Sequence, residues 1–502
     1  MPPPARFAVA AVGLGVLACL VPAVEAQAAP RDRIVQDACG DWLPAGSTCG
    51  YLSAPRDWAD PQGSDAQYRI AFARIPAEKP AQRVGILAFN PGGPGASAYE
   101  NILWVQSLLP QQVRDRFDIL AWDPRGVGLS DPEIVGCKVP PLQPPATGAV
   151  DWPAWVDEYV DAHEEAAREC LSLNEEHADF VGTWQLVRDL DALREGLGEE
   201  RLSFLGMSYG TTVGRAYAQA FPERVDRLVL DSNISPRSSI GLWAWEHAWD
   251  DPLAIRTALE ALGPKYPKLH DDVMAALDLR ALPDGAGGKV SRWDVGKRLI
   301  EWASFQSTWD SMRVLLDAVD AALRAESPAD RRAAGATVRG IVGSETTVRN
   351  WLPPLYTYVN CADFPDRPSR EYLVWVTRTA ELLGGIPAAQ AALREGAQCS
   401  ALPSLGRPLD RVDAVTLTRP PLVLNSLADN RTPWTSAWQM ARAFPGAGLV
   451  TYAGTQHIAY GRLSPCVDEP IDVYLATGRV PGRVDCPLVW PGNGAEGADG
   501  SG

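Results

Sequence analysis

The sequence predicts an α/β protein built on a mostly parallel, doubly wound sheet, with a helical cap inserted before the last strands. Three observations predict it. Short apolar runs at residues 85–89, 117–122, 202–206 and 227–230 have the length and composition of strands buried on both faces. Helical patterns alternate with them: residues 184–197 set Leu186, Leu190, Leu193 and Leu197 on one face, and residues 210–221 follow a strand directly. From about residue 236 to 410 the strand pattern stops, and a helical stretch with scattered Trp and Ala takes its place.

The chain begins with a segment outside the fold. Arg6 precedes an apolar run over residues 7–21, and small residues around Ala26 offer a cleavage site. This reads as a signal peptide over residues 1–26, which places the mature protein outside the cytoplasm, secreted or periplasmic. A membrane anchor, or lipidation at Cys19, are the alternatives; the run is short for a span. Residues 27 to about 66 are polar and turn-rich, and 68–75 alternate as a half-buried strand does. With the runs above they make a first core segment, 27–235. The cap insertion follows over 236–410. Strand runs at 422–425 and 448–452 complete the core over 411–488, and a Gly-rich, acidic tail over 489–502 is expected to be disordered.

Composition narrows the partners. The 62 acidic against 46 basic residues give a formal charge of −16, which repels nucleic acid and anionic membrane surfaces. Of nine cysteines one is Cys19, leaving eight, an even number suited to disulfides in an exported chain. On the order of a hundred connectivities are possible for eight. Proximity favours Cys39–Cys49, Cys137–Cys170, Cys361–Cys399 and Cys466–Cys486. No zinc-type spacing occurs, so no metal is expected.

The chemistry starts at Gly206-Met207-Ser208-Tyr209-Gly210, a G-x-S-x-G pattern at the junction of a strand and a helix. The tight corner strains the serine, and small neighbours let the two backbones pass. The hydroxyl then stands above the sheet near a helix N-terminus, which favours developing negative charge. A serine needs a base to take its proton. Where this corner occurs, an acid and then a histidine follow it along the chain. Of the five histidines, His163 and His177 precede Ser208, and His247 and His270 fall in the helical stretch. His457 alone follows a late strand. Asp429 leaves the preceding strand, where its carboxylate can fix the histidine tautomer; an Asx turn is the structural alternative. The amide after the nucleophile, on Tyr209, and one from Gly92 or Gly93 would form an oxyanion hole.

These motifs resemble the proline iminopeptidase and tripeptidyl aminopeptidase branch of α/β hydrolases. The resemblance rests on Asn90-Pro91-Gly92-Gly93-Pro94-Gly95, Asp123-x-Arg125-Gly126-x-Gly128-x-Ser130, the Ser208 corner, Asp429-x-x-Thr432-Pro433 and the His457 loop. Pro91 stands where the iminopeptidases carry His, which fits the secreted tripeptidyl-aminopeptidase-like branch better. The loop reads Gly454-Thr455-Gln456-His457 where Gly-x-Gly-His is commoner. The resemblance implies the cap and cleavage of one or a few residues from a peptide's free N-terminus. It implies no metal or organic cofactor.

Such an enzyme must bind an ammonium group, and carboxylates in a partly dry pocket do this. Glu246, Glu301, Glu345 and Asp363 in the cap are the candidates, with Asp363 beside Cys361. Two other readings keep the same fold: a carboxylesterase with the same triad, and a non-catalytic binding protein. Peptides are the expected partners, with no nucleic acid and no stable membrane association. The oligomeric state is left open.

Overall fold

The computed structural model describes residues 33–63, 66–135, 142–343, 354–400, 402–412 and 414–490. Its strands in chain order are β1 (Ile34–Asp37), β2 (Thr48–Pro55), β3 (Gln67–Ile75), β4 (Gly85–Asn90), β5 (Phe117–Trp122), β6 (Leu202–Met207) and β7 (Val225–Asp231). Then come β8 (Leu282–Pro283), β9 (Lys289–Val290), β10 (Leu422–Ser426), β11 (Gly448–Tyr452) and β12 (Arg483–Cys486). All but β8 and β9 join one ten-stranded sheet in the order β1-β2-β3-β5-β4-β6-β7-β10-β11-β12. Pairing is antiparallel from β1 to β5 and parallel from β5 onward.

Every residue of β4, β5, β6 and β10 is buried. Helices cover both faces, so these strands have no wet side, and their near-continuous apolar composition follows from that. One face packs Ile86, Phe204, Val213 and Leu230 together; the other packs Leu87, Leu205, Val229 and Tyr474. The Asp123/Arg125/Ser130 motif ties this core to its neighbours. Arg125 and Asp189 form a two-pronged pair (Nε–Oδ2 2.5 Å, Nη2–Oδ1 2.8 Å) with no exposure on either side chain. Ser130 Oγ donates to the Asp123 carbonyl at 2.6 Å. This motif is structural scaffolding.

Helices fill the stretch between β7 and β10, broken by the short β8–β9 hairpin that the sequence pattern did not show. Serine caps start several of them. Ser239 Oγ accepts from Leu242 N, and Ser291 forms a capping box with Asp294. The helix Trp152–Asn174, inside the first core segment by sequence, packs on the cap instead. Trp152 meets Ala244, Ala248 and Val376, and Tyr159 and Val160 meet Leu373 and Leu393. Its apolar stripe is legible in the sequence, but the surface that covers it is not.

Disulfides link Cys39–Cys49, Cys361–Cys399 and Cys466–Cys486. The expected Cys137–Cys170 pairing involves residue 137, outside the described residues. The tail is placed further than expected: Trp490 packs on Trp309 with ring centroids 5.0 Å apart, and Val489 N donates to Tyr452 Oη. Among the described residues no helix is long and apolar enough to cross a membrane.

Candidate active site

β6 ends at Met207, and the next residue, Ser208, has φ 55° and ψ −123° before the helix Tyr209–Ala220 begins. A non-glycine residue at positive φ is strained, and such strain persists only where the surroundings enforce it. Two close approaches enforce it here. A Cβ on Gly206 would lie 2.3 Å from the Gly210 carbonyl, and one on Gly210 would lie 2.4 Å from the Asn90 carbonyl. Only glycines let strand, corner and helix cross at this distance.

The loop after β4 packs directly on the serine. A Cβ on Gly92, at φ 105°, would meet Ser208 Cβ and the Met207 carbonyl, each at 2.8 Å. The sequence left Gly92 and Gly93 equivalent as amide donors, and the structure separates them. Gly92 N already donates to Asn90 Oδ1 at 3.0 Å, so its amide is engaged; Gly92 serves by having no side chain.

His457 and Asp429, 28 residues apart in sequence, meet at the C-terminal edge of the sheet. His457 Nδ1 is 2.9 Å from Asp429 Oδ2 and 3.2 Å from Oδ1. Asp429 is fully buried, and its remaining lone pairs accept from Arg431 N (2.9 Å), Thr432 N (3.1 Å) and Thr432 Oγ1 (2.9 Å). The Asx-turn bonds and the histidine bond therefore coexist on one carboxylate. The cap reaches in as well: His457 N donates to the Ser304 carbonyl at 2.8 Å.

Of the four cap acids, Glu246, Glu301 and Asp363 each have a different partner. Glu246 is buried on the helix Ile240–Leu262 and accepts from Ser436 Oγ at 3.1 Å. Burial pushes its carboxyl up to about 7. One turn along, Asp250 is pushed up to about 8, first by burial and then by repulsion from Glu246, and it also feels Asp429. Sequence reasoning passed over Asp250, although an i, i+4 spacing from Glu246 puts the two on one helix face. Glu301 pairs with Arg298 at 2.8 Å and is partly exposed. Glu345 is outside the described residues. Asp363 is sealed in the core: Oδ1 accepts from Thr183 N (2.9 Å) and Oδ2 from Thr183 Oγ1 (2.5 Å), which itself bonds Tyr209 Oη. With both oxygens engaged and almost no exposure, this carboxylate is a strut beneath the serine corner, not the amine receptor expected from the sequence.

A family model described as the alpha/beta hydrolase fold matches residues 85–281, and one described as TAP-like protein matches residues 386–486. The chain has the α/β-hydrolase fold. The first match runs into the helical stretch as far as residue 281, and the second begins within it at residue 386. This α/β hydrolase is 28% identical to a tripeptidyl aminopeptidase of Streptomyces lividans, over 89% of this chain and 85% of that one. It is 28% identical to a serine protease of Mycobacterium tuberculosis, over 88% and 87%. It is 27% identical to a carboxylesterase B of Mycobacterium tuberculosis, over 86% and 85%.

Proposed function

We propose that this α/β hydrolase is an exported serine exopeptidase that removes residues from the free N-terminus of peptides. The observation that carries the proposal is the strained Ser208 corner lying against Gly92, on the sheet edge where Asp429 holds His457 Nδ1. In this reading His457 takes the Ser208 proton as the hydroxyl attacks the scissile carbonyl. The developing oxyanion rests on the amides of Tyr209 and Gly93, and a helix N-terminus adds favourable potential. His457 then passes its proton to the leaving amine, and water attacks the acyl-enzyme by the reverse sequence. Asp429 holds the imidazole in the required tautomer.

The buried Glu246 and the partly buried Asp250 support a peptide over a simple ester. A carboxylate that would otherwise be held neutral by burial ionises when a substrate ammonium enters beside it, so the pair rewards a free N-terminus. The relatives named tripeptidyl aminopeptidase and serine protease favour the same reading. The relative named carboxylesterase keeps ester hydrolysis as the second reading. Disulfides support export.

The test is a panel of chromogenic mono-, di- and tripeptide amides, each with a free and an N-acetylated terminus. The exopeptidase reading expects cleavage of the free forms and strong loss on acetylation. Equal rates on both forms would favour the esterase or an endopeptidase.

A further inference from the structure

Among the described residues three non-glycines have positive φ: Ser208 at 55°, Ser232 at 62° and Ile458 at 60°. They come from three separate segments. Ser232 directly follows Asp231 at the end of β7, and Ile458 directly follows His457. A β-branched residue such as Ile458 is rarely found at this φ, and its neighbours must hold it there.

Asp231 and Ser232 are what holds it. The Asp231 carbonyl accepts from Ser208 N at 2.9 Å. Its carboxylate accepts from Ala459 N (Oδ1, 3.2 Å) and Tyr460 N (Oδ2, 2.9 Å), and Ser232 Oγ accepts from Ile458 N at 2.8 Å. Ser232 N in turn donates to the Leu424 carbonyl of β10 at 3.0 Å, which locks the clamp to the sheet. Three successive amides after the histidine are thus held by two residues, one of which also holds the serine backbone.

We infer that Asp231 is a positioning residue that sets the Ser208 corner and the His457 loop relative to one another, and that its carboxylate electrostatically supports the imidazolium. The inference rests on the roles proposed above for Ser208 and His457. The carboxylate is fully buried and would be costly there unless its charge were used. Burial pushes it up to about 6, while its two amide bonds and His457 favour the ionised form. The other charged groups it faces are Asp429, which opposes ionisation, and Arg462 on the loop beyond His457. A carboxamide cannot replace it, because an amide NH₂ would face one of the two donors.

The experiment compares wild type, Ser208→Ala, Asp231→Asn and Ser232→Ala on one free-terminus peptide amide across pH. For Asp231→Asn we expect kcat to fall about ten- to a hundredfold with KM nearly unchanged, because the reacting groups lose registration. We also expect the acid limb of kcat/KM to move to lower pH by about half a unit, since a negative charge beside the histidine is gone. Ser232→Ala keeps the charge and should lose about tenfold in kcat with an unmoved limb; it carries the test if Asp231→Asn does not fold. Wild-type kcat in either variant, or a loss in Asp231→Asn without a moved limb, overturns the inference. Full activity in Ser208→Ala would instead remove the reading on which it rests.

Discussion

Gly92 and Ser208 lie so close that a single methyl on the glycine would sit 2.8 Å from the serine Cβ. The other contact of that methyl is the Met207 carbonyl, which belongs to β6 and cannot yield. Gly92→Ala must therefore displace the loop that carries Gly93. A misplacement of about 1 Å costs on the order of a hundredfold in rate. We predict that loss in kcat, with a folding penalty of about 1–3 kcal/mol for the alanine at positive φ. Steady-state kinetics with a urea titration checks both.

Asp429 offers a graded series. Asp429→Asn keeps the shape but permits the wrong histidine tautomer, and kcat should fall about 10⁴-fold. Thr432→Ala removes only one donor to the carboxylate, and about tenfold is expected, in line with a lost hydrogen bond to a charged group. The two values are read from kcat on one substrate, and equal losses would contradict the assigned geometry.

The Glu246–Asp250 pair sets a pH dependence. Both carboxyls are raised in the folded protein, to about 7 and about 8, above the values of exposed acids. The folded state therefore binds more protons than the unfolded one between about pH 4 and 8, and stability falls as pH rises through that window. The melting temperature of the free protein should decline from pH 5 to 8, and Glu246→Gln with Asp250→Asn should flatten the decline. With a free-terminus substrate KM should rise as pH falls from about 8 to about 6, where the pair is neutral and the ammonium has no partner.

Asp363 is a structural test of a different kind. Removing it leaves the buried Thr183 amide without an acceptor, at a cost of about 1–3 kcal/mol, and leaves the Thr183 hydroxyl with Tyr209 Oη alone. Asp363→Ala should thus lower stability while leaving the ratio of free to acetylated substrate turnover unchanged. A collapse of that ratio would return Asp363 to the amine subsite.

The parts legible in the sequence are those set by local pattern. The parallel core follows from fully apolar strand runs, and the Ser208 corner from its motif between a strand and a helix. His457 follows from the scarcity of histidines. What was not legible depends on partners far along the chain. Asp363 looks like a rigid cap acid beside Cys361, yet Thr183, 180 residues earlier, takes both its oxygens. Gly92 and Gly93 differ only because the Asn90 side chain turns back on one of them. Asp231 reads as the last residue of a strand, and its hold on the His457 loop spans more than 220 residues.

The most direct measurement is covalent labelling with a fluorophosphonate followed by peptide mapping. The predicted result is one adduct on Ser208, absent in Ser208→Ala and formed far more slowly in His457→Ala. An adduct on another residue, or labelling of His457→Ala at the wild-type rate, would contradict the account.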